Sequence, residues 1–198
     1  MFGAHLSSEE KTISLRDAVA LTDEIERLRA ELDRCHARIR ELDRLAHYDS
    51  LVGLPNRRSF LENLERLLAR VKRYGGPAAV VSIDADGLKA INDRFGHDAG
   101  DKALIEISSA LKASVRDSDL VARLAGDEFG ILLEQSDELS AWQTALRVTE
   151  TLDSWRFCVE GFCLPLSAAV GVAAIRANDT IESVLKRADQ EMYRIKAI

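Results

Sequence analysis

From Ala18 onward, apolar side chains recur at alternating spacings of four and three, at Leu21, Ile25, Leu28, Leu32, Cys35, Ile39, Leu42 and Ala46, with charged residues between them. This is the seam of a coiled coil, and a stripe so narrow suits a partner helix better than a broad core. A helix lying along its own domain is the other arrangement that would use such a stripe. The pattern stops at HYDSLVGLPNRRSF, where Gly53 and Pro55 break the helix and Asn56 can cap the next one. The expected organisation is therefore a coiled-coil dimerisation and signalling helix over residues 1–46 and a globular domain over residues 47–198.

Within the domain, Phe60, Leu61, Leu64, Leu67, Leu68 and Val71 stand at amphipathic helical spacing, and the helix ends at Gly75, Gly76 and Pro77. AAVVSID follows as a continuous apolar run of strand type, buried on both faces and ending in a carboxylate. A helix is expected over about Asp101–Val115, then LVARL and FGILL as two strands of a hairpin around the turn AGDE. A helix from about Leu139 to Leu152, strand-like segments around Phe157 and from Leu164 to Ile175, and a last helix from Ile181 complete the chain. The order predicts an α+β fold, an α/β sandwich with a central, mainly antiparallel sheet covered by helices.

Charge narrows the function classes. With 27 Lys plus Arg against 33 Asp plus Glu, the formal net charge is −6, so a broad electrostatic footprint for a nucleic acid polymer is absent. A phosphate ligand needs a local site or a metal. No stretch approaches the roughly 18 apolar residues that span a bilayer, and MFGAHLSSEEK lacks the apolar core of a signal peptide, so no membrane partner and a cytoplasmic location are expected. Cys35, Cys158 and Cys163 are odd in number, without CxxC spacing, and read as ordinary packed thiols rather than a disulfide or a zinc site.

Two acidic clusters fall at ends of predicted strands: Asp84 with Asp86, and Asp127 with Glu128. Carboxylates crowded at the end of a buried sheet repel one another and resist desolvation, which implies a cation. Mg²⁺ fits best, because it takes carboxylate oxygens and substrate phosphates together. The same residue types also form turns. In DADGLKAINDRFGHDAGD, Asn92 and Asp101 follow Asp84 by eight and seventeen residues. A carboxylate can accept from both the N1–H and the exocyclic amine of guanine while an Asn bonds its acceptor atoms, a pair that selects guanine over adenine. Both residues are equally good helix caps.

DSLVGLPNRRSF, DADGLKAINDRFGHDAGD, RDSDLVARLAGDEF and ADQEMYRIK stand in the order and spacing of the GGDEF domains of diguanylate cyclases, over about residues 47 to 198. The chain resembles that family through four motifs in register. The resemblance implies a fold like the nucleotidyl cyclase and polymerase palm, and joining of two GTP molecules into cyclic di-GMP across a homodimer of facing domains. It makes Asp84 and Asp127 ligands of Mg²⁺, or of Mn²⁺ in its place, with the backbone carbonyl of Ala85. Asp127 is further implied as general base for the ribose 3′-hydroxyl with Glu128 beside it, Asn92 and Asp101 as guanine-binding residues, and Lys196 as the lysine reaching the terminal phosphates. Arg116 and Asp119 match the family's RxxD product-inhibition site; by spacing alone they would also make an i, i+3 ion pair.

Three departures bear on activity. Ala125 replaces the first Gly of the signature turn, adding a methyl near the nucleotide or straining the turn if φ must be positive. Leu88, preceded by Gly87, stands where an aromatic is usual, which is expected to loosen the phosphate loop. A further basic residue that the family places shortly after Lys196 is missing. These departures keep open a second function class, a catalytically silent GGDEF module that binds GTP or cyclic di-GMP as a sensor.

Overall fold

A computed structural model describes residues 15–196; the residues of the expected N-terminal segment before Leu15 lie outside the described ones. The chain divides into two compact units between Arg44 and Leu45. The first consists of helix α1 (Leu15–His47) up to that point. Leu21, Ile25, Leu28, Leu32, Ile39 and Leu42 are all exposed in the single chain. Local ion pairs flank them, Arg27 with Glu24 at 2.7 Å and Arg44 with Glu41 at 3.0 Å, of the kind that adds a few tenths of a kcal/mol each to a surface helix. Cys35 is exposed with this stripe, not packed as the sequence reading expects, because it lies on a helix whose apolar stripe meets nothing else in the single chain.

The second unit is built on a four-stranded sheet in the order β2-β3-β1-β6, with every neighbouring pair antiparallel: β1 (Ala78–Ala85), β2 (Leu120–Ala125), β3 (Glu128–Glu134) and β6 (Ala168–Ala174). Side chains alternate across β1, so Ala78 and Val80 enter one core while Ala79, Val81 and Ile83 enter the other. That is why AAVVSI has no polar alternation: helices cover both faces. Helix α2 (Arg57–Tyr74) and helix α6 (Ile181–Lys196) pack on the first face through Phe60, Leu64, Leu67, Val184 and Ala188. Helices α4 (His97–Ala113) and α5 (Glu138–Ser154) pack on the second through Leu104, Ile107, Leu111, Val148 and Leu152.

Asn56 caps α2 as expected: its side chain accepts from the Ser59 N–H at 3.0 Å and its amide donates to the Ala46 carbonyl at 2.9 Å. Two features escaped the hydrophobic pattern. A short helix α3 (Leu88–Phe95) precedes α4, which starts at His97 rather than Asp101. Gly87 at φ +75° and Gly96 at φ +83° open the two helices without a side-chain cap, so no polar cap marks either start. The segment Leu164–Ile175 is not one strand. Pro165, which has no donor N–H, ends β5 (Phe162–Pro165), and the chain enters β6 at Ala168.

The cysteine expectation is corrected in the small sheet formed by β4 (Arg156–Val159) and β5. Glu160 at φ +50° and Gly161 at φ +82° make a two-residue hairpin turn that sets Cys158 directly opposite Cys163, and the two are joined in a disulfide. A spacing of five across such a turn brings two Cα atoms to 4.1 Å, a juxtaposition that CxxC logic does not register. Arg94 stacks on Phe95 and Phe162 at 4.9 and 4.5 Å, tying this hairpin to the end of α3. Among the described residues, no helix is long and apolar enough to cross a membrane.

Candidate active site

Strand register brings the two acidic clusters together. Asp84 lies opposite Glu128 in the β1–β3 ladder, and the Ala85 N–H donates to the Asp127 carbonyl at 3.0 Å. One end of the sheet therefore carries Asp84, Ala85 and Asp86 from β1 and its loop, with Asp127 and Glu128 from the β2–β3 turn. Asp86 is fixed by Ser167, whose hydroxyl donates to its Oδ2 at 3.1 Å and whose carbonyl accepts its N–H at 2.9 Å.

Helix α6 delivers Lys196 to the same end. Gly171 of β6 permits the approach, since a β-carbon there would stand 2.1 Å from the Ala188 carbonyl oxygen and 2.3 Å from the Met192 nitrogen. The Ser82 hydroxyl pins the helix by donating to Asp189 at 2.8 Å. Lys196 Nζ then sits 2.5 Å from Asp84 Oδ1 and 3.9 Å from Asp86 Oδ1. The hydrogen bond to Asp84 holds the ammonium above the usual lysine range despite slight desolvation, and the charges of Asp84, Asp86 and Asp127 act in the same direction.

The donor set suits a hard divalent cation. Carboxylates and a backbone carbonyl are the oxygen ligands Mg²⁺ prefers, and a cation already sits on them in the form of the Lys196 ammonium. Among the described residues, no three His, Cys, Asp or Glu side chains form a cage. Mg²⁺ at such a site would be completed by waters and substrate phosphates, its usual habit at phosphoryl-transfer centres.

Asn92 and Asp101 are not helix caps. Asn92 lies inside α3 and Asp101 inside α4, and the Asn92 side chain packs on Gly100, the residue before Asp101, which sequence reading missed. A β-carbon on Gly100 would stand 1.9 Å from Asn92 Oδ1, so the Asn92 carboxamide lies against bare backbone next to Asp101. No signal in the sequence marked Gly100, because the expected helix began one residue after it.

A second missed pair braces the signature turn. Arg123 donates to the Gly126 carbonyl through Nε at 2.9 Å and Nη2 at 2.8 Å, and its Nη1 meets Asp49 Oδ1 at 3.2 Å. Burial would push the Asp49 carboxyl up, but the Val52 N–H, the Arg123 charge and the Leu51 N–H outweigh it and hold it below the usual carboxylate range. A charged residue in the middle of the apolar run LVARLA was the clue. Ala125 is not among the residues at positive φ; Gly126 carries that at +40°, so the methyl of Ala125 strains nothing. Leu88 is buried in the core and Gly87 supplies the left-handed turn before it.

Arg116 and Asp119 lie elsewhere, at the far end of β2 from the signature turn, about 20 Å away for a six-residue strand. They do not form the i, i+3 ion pair. Asp119 instead accepts from the backbone N–H of Arg116 at 3.1 Å and of Glu134 at 3.3 Å. Both residues line a cleft of about 560 Å³ that also presents Arg66, Arg70 and Lys112.

Residues 46–198 match the family described as "Diguanylate cyclase, GGDEF domain". The chain is similar to diguanylate cyclase DgcP of Pseudomonas aeruginosa, 34% identical over 177 residues that cover 89% of this chain and 26% of that protein. It is likewise similar to diguanylate cyclase TpbB of Pseudomonas aeruginosa, 38% identical over 185 residues, covering 91% of this chain and 41% of that one. It thus spans about a quarter to two fifths of the length of these curated relatives. The crystal structure of the coiled coil and GGDEF domain of DgcB from Caulobacter crescentus in complex with c-di-GMP shares the fold, with a TM-score of 0.83 over 90% of this chain and 95% of that one at 23% identity. On the match of residues 46–198, this chain belongs to the family of the diguanylate cyclase GGDEF domain.

Proposed function

We propose that the protein is a Mg²⁺-dependent diguanylate cyclase that joins two GTP molecules into cyclic di-GMP with release of two pyrophosphates. The observation that carries this reading is the convergence of Asp84, Asp127, Glu128 and Lys196 at one end of the sheet. Asp101 accepts from the N1–H and amino group of guanine, and Asn92 bonds its acceptor atoms. Asp84, Asp127 and the Ala85 carbonyl hold the metal, which when bound screens phosphate charge and lowers the pKa of the 3′-hydroxyl. Asp127, with Glu128 beside it, takes the proton of that hydroxyl. The 3′ oxygen then bonds to the α-phosphorus of the GTP held by the facing domain, and the bond to pyrophosphate breaks; the second half repeats this in the opposite sense. Lys196 neutralises the leaving phosphates.

Each domain holds one GTP, so turnover requires two domains face to face. The exposed seam of α1 supports pairing with a second copy. The cleft at Arg116 and Asp119, where Arg66 and Lys112 stand beside Asp117 and the Arg70–Glu134 pair, is the candidate product-inhibition site, since Arg can bind a guanine edge and a phosphate together. A substrate of this kind fits a cytoplasmic enzyme. The unstrained backbone at Ala125 removes backbone strain as an argument for a silent nucleotide sensor.

Asp84→Asn and Asp127→Asn are each expected to abolish cyclic di-GMP formation from Mg²⁺ and GTP while the circular dichroism stays that of the parent. Arg116→Ala should keep the initial rate and lose inhibition by added product. Normal turnover in either Asn variant rejects the metal site, and a parent enzyme insensitive to product rejects the cleft.

A further inference from the structure

Lys196 is the last described residue of α6, one turn beyond the buried Met192. The helix is locked along β1 and β6 by Gly171, the Ser82–Asp189 bond and the buried Val184, Ala188 and Met192. What this lock presents to Asp84 is an ammonium in direct hydrogen-bond contact, on an oxygen of the carboxylate assigned to the metal. Asp86, the second carboxylate of the loop, faces the same ammonium from 3.9 Å with one oxygen while Ser167 holds the other.

We propose that Lys196 is a resident counter-ion of the metal site, which neutralises Asp84 and Asp86 in the nucleotide-free protein and must yield Asp84 before a divalent cation can occupy it. This rests on the assignment of Asp84 as a metal ligand. An ammonium and a divalent cation on one half-buried carboxylate repel one another, so each weakens the binding of the other. GTP resolves the competition, because its terminal phosphates give the displaced ammonium a new partner. Metal and nucleotide then bind cooperatively, and each weakly alone, a coupling that is reciprocal by thermodynamic necessity. The exchange also keeps the acidic cluster from collecting divalent cations without substrate.

The test is Mn²⁺ binding, read from the electron paramagnetic resonance of the free ion, with the parent protein, Lys196→Met, Asp84→Asn and Arg194→Met. Arg194 is a control cation of the same helix that pairs with Glu191 rather than Asp84. Without nucleotide, Lys196→Met is expected to bind Mn²⁺ about tenfold more tightly than the parent, within the usual range of coupling between two ligands, while Arg194→Met is unchanged. With a saturating non-hydrolysable GTP analogue the difference between parent and Lys196→Met is expected to shrink, because the phosphates draw the ammonium away from Asp84. Equal or weaker Mn²⁺ binding by Lys196→Met without nucleotide, or an equal gain in Arg194→Met, overturns the proposal while leaving the metal site intact. Undiminished Mn²⁺ binding by Asp84→Asn overturns the site assignment itself, and the proposal with it.

Discussion

A β-carbon at position 100 would meet Asn92 Oδ1 at 1.9 Å and its Cγ at 2.8 Å, and the obstructing atoms are the far end of a flexible side chain. Gly100→Ala therefore displaces Asn92 rather than the backbone. The expected outcome is divergent: thermal stability holds or rises, since Ala is favoured over Gly inside a helix by about 1 kcal/mol. The KM for GTP meanwhile rises about tenfold, the equivalent of one lost bond of about 1.4 kcal/mol. Parallel melting curves and steady-state kinetics check this, and unchanged GTP kinetics would remove Asn92 from guanine recognition. Asp49 is a purely structural counterpart. Its folded pKa is depressed, so its contribution to stability is present above its unfolded value near 4 and is lost as pH falls through the folded value. Asp49→Asn is expected to cost about 1 kcal/mol at pH 7, and the difference from the parent should shrink steadily below about pH 4 in denaturant titrations.

Elements whose burial follows a simple period were legible in the sequence. Helix α2 announces itself through Phe60, Leu64, Leu67 and Val71, with Asn56 at its start and Gly75 at its end. Strand β1 shows as an unbroken apolar run because both its faces are covered. Helix α3 did not show, since only Leu88 and Ile91 of its eight residues are buried and glycine, not a polar cap, precedes it. The β4–β5 hairpin was hidden for a related reason: its strands have four residues each, and its turn is Glu160–Gly161 rather than Asn-Gly. For α1 the legible feature was the seam, whose exposure is a prediction in itself. Ile25→Asp combined with Leu32→Asp places two charges where a partner helix would bury them, each costing several kcal/mol. The double variant should weaken dimerisation at least about a hundredfold and make specific activity climb steeply with protein concentration. Light-scattering mass beside activity over a dilution series checks this, and a variant that stays dimeric would remove α1 from assembly.

In the whole molecule, the residues proposed for the active site come from segments distant in sequence that a single sheet end collects. Asp84, Asp127 and Lys196 were readable as residue types and motif positions, but their meeting depends on the antiparallel register of β1 with β3 and on the seat of α6 over Gly171. Spacing along the chain carries neither. The bracing of the signature turn by Arg123, and the contact of Lys196 with Asp84, are tertiary facts of the same kind. Conversion of GTP into a cyclic dinucleotide by this arrangement is checked by incubating the purified chain with Mg²⁺ and either GTP or ATP and separating the nucleotides by chromatography. At protein concentrations where the chain is dimeric, GTP should disappear with one cyclic di-GMP and two pyrophosphates formed per pair consumed, and ATP should remain. Cyclic di-GMP absent after incubation of folded, dimeric protein with Mg²⁺ and GTP would contradict the account.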